Sequence, residues 1–93
     1  MSSRLPSRPG DSSPGPGYPR MHVVLHRTRD QGLLVVIQVL REVTHFGEAE
    51  AETRMWEAYH RGRARVLATH LERAELYVEQ FADRGLVTSL EPA

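Results

Sequence analysis

Sizeable apolar residues are almost absent from the first twenty positions, where only Leu5 and Tyr18 stand out, and from Met21 onward they come in short groups divided by polar or glycine-bearing stretches. Met21-His-Val-Val-Leu25 is short and β-branched and runs into the polar segment His26 to Gly32, which predicts a strand followed by a loop. At Leu33 the period changes. Leu33, Val36, Ile37 and Leu40 stand at i, i+3, i+4 and i+7, one face of a helix. Leu34, Val35 and Val39 widen that face, predicting a first helix buried on most sides.

A second helix is expected after Gly47, an acceptable N-cap, because Glu48, Glu50 and Glu52 suit the positive end of its dipole and Arg61 and Arg63 flank the other end. Its inner stripe reads Ala51, Met55, Ala58 and Tyr59, and Gly62 supplies the stop. Arg63 to Thr69 alternates weakly, as a strand. Thr69-His-Leu-Glu72 has the form of a capping box opening a third helix with Leu71, Ala74, Val78, Phe81 and Ala82 inward. Gly85 fits a Schellman stop with a Phe81 to Leu86 contact, and Leu86 to Glu91 closes the chain as a strand. The order is β-α-α-β-α-β: an α+β fold, one small domain over 21–93 with a three-stranded antiparallel sheet packed on helices.

Residues 1–20 hold five of the six prolines, five serines and three glycines, too little apolar surface to offset the entropy of ordering them, so a disordered tail is expected. Twelve arginines and no lysine balance twelve acids, and the zero net charge gives no bulk field favouring nucleic acid or an anionic membrane. Without cysteine there is no disulfide framework and no thiol nucleophile, in keeping with a reducing, cytoplasmic setting. The longest apolar run, Leu33 to Ile37, is five residues, against the roughly 20 of a membrane helix.

Against this background the chain resembles the ClpS adaptor family. The resemblance rests on Met21 to Leu25, on Leu33-Leu-Val-Val-Ile-Gln-Val-Leu40, on Ala58-Tyr-His-Arg-Gly62, and on Thr69-His-Leu-Glu-Arg-Ala-Glu-Leu-Tyr-Val-Glu-Gln-Phe81 with Leu90-Glu-Pro92. It implies a monomeric, non-catalytic adaptor of an ATP-dependent Clp protease, acting without a cofactor. Such an adaptor docks on the N-domain of a Clp AAA+ ATPase of the ClpA or ClpC type and delivers proteins that begin with a large apolar residue. Carried over by position, the apolar specificity pocket falls on Leu33, Met55 and Ala58 with Tyr59 beside them, and the ATPase-docking surface on Glu72 and Glu75. The N-terminal tail matches the family's ATPase-engaging tail in composition.

The family holds the substrate's α-ammonium with an Asn-Asp-Asp loop and a histidine, since a buried cation needs acceptors or acids around it. In this chain the loop reads His26-Arg27-Thr28-Arg29-Asp30, with Arg27, Thr28 and Arg29 at the three positions and Tyr59 at the histidine, next to His60. Each arginine repels an ammonium by about 1 kcal/mol at ~4 Å even in water. An adjustment of the loop by one or three residues would bring Asp30 into the amine site, and a local shift in the second helix would place His60 at the histidine position. The same two arginines suit a carboxylate, which guanidinium grips in a fork, or they are solvated loop residues.

Three other readings stand beside this one. Arg61-Gly-Arg-Ala-Arg65 is a basic run that a small RNA-binding protein could use, although no RNA-binding motif accompanies it. Of the five histidines, His22 and His26 share one face of the first strand with Val24, but without the spacing of a metal site. Leu33, Met55 and Ala58 at helical spacing also read as plain core.

Overall fold

The computed structural model describes residues 19–93, and of the tail expected over 1–20, positions 1–18 lie outside them. The elements follow the expected order: β1 (Arg20–His26), α1 (Leu33–Thr44), α2 (Glu48–Arg61), β2 (Arg63–His70), α3 (Leu71–Asp83) and β3 (Thr88–Pro92). The sheet order is β2-β1-β3, with β1 antiparallel to both neighbours. β1 is central because it is the most apolar strand: Val23, Val24 and Leu25 are at most 1% exposed.

The helices cover one face of this sheet, and the core between them contains Val23, Leu25, Ile37, Leu40, Met55, Val66 and Phe81. The weak alternation of β2 has a physical cause. Val23 pairs with Leu67 but Val24 with Arg65, so Val66 is the extra residue of a bulge. Consecutive residues Val66 and Leu67 therefore both reach the core. On the opposite face His22, Val24 and His26 do line up, and Glu91 from β3 pairs across β1 with Arg63 and, at 3.9 Å, with Arg65. His26 Nε2 lies 2.7 Å from Ser89 Oγ.

Four expectations need correction. The capping box does not form: Thr69 is held in β2 opposite Met21, so α3 starts one residue later on His70, with no side-chain cap. The first amide of α3, that of Leu71, instead donates to Pro19 O at 3.1 Å, so the chain just ahead of β1 satisfies a helix end. The tail boundary accordingly moves: Pro19 and Arg20, assigned to the tail, belong to the folded unit. α1 is buried on one side rather than most, because nothing among the described residues packs outside its first turn, leaving Leu34 80% and Val35 42% exposed. On α2 and α3 the stripes are narrower than expected, with Tyr59 and Ala82 exposed.

The glycine stops are as expected. Gly62 ends α2 at φ 88° with its amide on Ala58 O, and the α3 end is a Schellman motif, with Leu86 N bonded to Phe81 O and Gly85 N to Ala82 O, both at 3.0 Å. Gly85 also has φ 88°, and a Cβ there would fall on the side-chain amide of Gln31. Gly85→Ala is therefore expected to cost about 1–2 kcal/mol, read as a lower urea midpoint at unchanged slope; an unchanged midpoint would mean the α3 stop is not strained by a side chain.

Candidate functional site

The end of β1, the loop after it, the start of α1 and the last turns of α2 meet at one end of the molecule. The backbone fixes this meeting from both sides: Arg27 N donates to Gly62 O at 2.9 Å and His26 N to Val87 O at 3.0 Å, so the loop departs from a pinned strand end. All four residues expected in the apolar pocket come together here. Leu33, Met55, Ala58 and Tyr59, with Leu25, Val36, His26, Arg27 and Thr28, line a slot of ≈ 20 Å³. Leu25, Met55 and Ala58 are buried as its floor, and Tyr59, 46% exposed, stands at the rim. Met55 and Ala58 thus belong to the core and also border the slot.

Beside the slot a wide basin of ≈ 650 Å³ opens to solvent, lined by Arg27, Thr28, Arg29, Gln31, Gly32, Leu33, Tyr59 and His60. Asp30 is exposed and lines neither hollow. The Arg27 guanidinium carbon lies 6.0 Å from the centre of the Tyr59 ring, at the edge of cation–π range. His60 stacks on Trp56, with centroids 5.3 Å apart and planes at 15°, and Tyr59 meets each of them edge-on. Trp56, Tyr59 and His60 stand at i, i+3 and i+4, a spacing visible in the sequence that would have placed them on one exposed ridge of α2. The basin's Gln31 and Gly32 went unnoticed because loop residues carry no period.

Glu72 and Glu75 lie elsewhere, exposed on the outer side of the first two turns of α3. Near them a groove of ≈ 320 Å³, between the C-terminal end of α1 and α3, is lined by Glu42, Val43, His45, Arg73, Leu76, Tyr77, Gln80 and Arg84. Arg84 pairs with Glu42 at 3.5 Å across it, and Leu76 is 51% exposed. Leu76 was missed because, on a helix read for its inner face, an outward leucine looks like surface. The arginines of the basic run stand next to acids: Arg61 reaches Glu57 at 4.0 Å, and Arg63 and Arg65 share Glu91. Among the described residues no group of three or more His, Cys, Asp or Glu is placed to hold a metal, and no helix is long and apolar enough to cross a membrane.

The β-α-α-β-α-β domain that carries this slot is one that comparisons with known proteins place in a family. Residues 19–89 match the family model described as ATP-dependent Clp protease adaptor protein ClpS. The ClpS adapter proteins of Synechococcus sp. and Synechococcus elongatus are each 35% identical over 75 residues, covering 80% of this chain and 72% and 79% of theirs. Agrobacterium tumefaciens ClpS2, in a structure with bound L-phenylalaninamide, superposes with a TM-score of 0.78 over 81% of this chain and 98% of its own, at 23% identity. The chain belongs to the ClpS family of Clp protease adaptors. Its relatives are named as adaptors, and it is a non-catalytic partner of a Clp protease system.

Proposed function

We propose that this adaptor docks on the N-domain of a Clp AAA+ ATPase, of the ClpA or ClpC type, through the outer side of α3, and presents a substrate segment held in the slot between β1, α1 and α2. The observation that carries the reading is the convergence of Leu33, at the start of α1, with Met55, Ala58 and Tyr59 of α2 on one slot. A slot with an apolar floor and a polar rim accepts one side chain and leaves the rest of a peptide in water. Agrobacterium ClpS2 binds L-phenylalaninamide, an apolar side chain next to an amine. The apolar part of such a ligand has a counterpart in this chain, and the amine has lost the acids that would hold it. Glu72 and Glu75 are exposed and make no ion pair among the described residues, which leaves their charges available to a basic partner surface. The absence of cysteine is in keeping with the reducing cytoplasm as the place where this adaptor works. The RNA-binding alternative loses support, since its arginines are already paired with Glu57 and Glu91.

The test is an interferometry titration of the full chain against the isolated N-domain of a ClpA-type and a ClpC-type ATPase. Saturable binding to one of them is expected, weakened at least tenfold by Glu72→Arg with Glu75→Arg while the melting temperature stays within a few degrees. An unbound wild type would remove the docking reading.

A further inference from the structure

The rim of the slot is built from donors. Arg27 and Thr28 line both the slot and the basin, and Arg29, Gln31, Tyr59 and His60 complete the basin wall. Two guanidinium groups, two hydroxyls, an imidazole and an amide face a ligand there, and among the described residues no carboxylate does, because Asp30 lines neither hollow. Neither Arg27 nor Arg29 has an ion-pair partner among the described residues, a state they share with Arg20, Arg41 and Arg73, but of these five only Arg27 and Arg29 line the basin. A cationic rim without acids repels an ammonium and attracts an anion, and guanidinium is the side chain whose donor fork matches a carboxylate.

We propose that the slot and basin together bind the carboxyl terminus of a protein whose last residue is apolar, with the last side chain in the slot and the α-carboxylate on Arg27 and Arg29. This rests on the adaptor reading above and names its substrate class. A terminal residue carries its carboxylate and its side chain on one Cα, so the charged and apolar groups diverge over a few ångströms. The site has the same compactness, since Arg27 touches the apolar slot and the basin at once. An internal acidic residue would bring its charge on a different Cα from the apolar side chain. The slot is small, ≈ 20 Å³, so a terminal Leu or Val is expected to enter it more readily than the bulkier Phe.

Fluorescence anisotropy on the full chain tests this with four labelled peptides: one N-acetylated and ending in a free Leu carboxylate, its C-terminal amide, that amide with Glu as the penultimate residue, and one with a free N-terminal Leu and a C-terminal amide. Binding of the first is expected, at least tenfold tighter than each of the others. Arg27→Gln with Arg29→Gln should abolish that margin while melting temperature and ATPase N-domain binding stay as in the wild type. Preference for the free N-terminal Leu, equal binding of the internal-Glu amide, or no binding of any peptide would each overturn the proposal. The N-domain titration judges the adaptor reading separately, so the two can fail independently.

Discussion

Phe81→Ala should leave the domain barely folded. Phe81 is fully buried and is the largest such side chain, on the last inward turn of α3, which packs against all three strands. Truncating a buried Phe costs about 3–5 kcal/mol. A domain with about 75 ordered residues has a total stability of only roughly 4–11 kcal/mol. A loss of that size lowers the melting temperature by on the order of 20 °C, and thermal denaturation followed by circular dichroism reads it directly. A fall of less than about 5 °C would mean that the helices are not held to the sheet through this ring.

Met55→Ala is expected to have the second largest effect, and to act in two directions. Met55 is 3% exposed and belongs both to the core and to the floor of the slot. Its loss costs about 2–5 kcal/mol, toward the lower end, because the space it leaves adjoins the opening where water or a ligand can enter. The enlarged slot should then shift peptide preference from a terminal Leu toward a terminal Phe, by threefold or more in the ratio of dissociation constants. A stability loss without a shift in that ratio would show that no ligand side chain reaches Met55.

Much of the fold could be read before any coordinates, and particular residues explain both the agreement and the misses. Helical spacing in Leu33 to Leu40 and the two glycine stops at Gly62 and Gly85 are local signals, and each local choice agrees with the final packing. The false capping box at Thr69 is local too, but it was overridden: the ladder between Thr69 and Met21 joins residues far apart in sequence, and a strand pairing outweighs a single cap. The exposure of Leu34 reflects the absence of a partner for it among the described residues, which no property of Leu34 itself encodes.

The site was legible in a different way. Leu33, Met55, Ala58 and Tyr59 were placed together by family resemblance, and the fold brings them to one slot. Periodicity alone assigned Tyr59 to the core, whereas it is the rim residue over which Arg27 lies. The exclusion of Asp30 from both hollows was not readable, because one residue of loop register decides it. The groove between α1 and α3, with Leu76 outward, emerges only when two helix surfaces are seen side by side.

The most direct test of the chain as a Clp adaptor is the rate at which a Clp ATPase and its peptidase degrade a fluorescent reporter ending in an unblocked Leu, measured with increasing amounts of the full chain. The rate is expected to change saturably with the wild type and to stay at its starting value with the Glu72→Arg, Glu75→Arg variant. A rate that the wild type leaves untouched with both ClpA-type and ClpC-type enzymes would contradict the account.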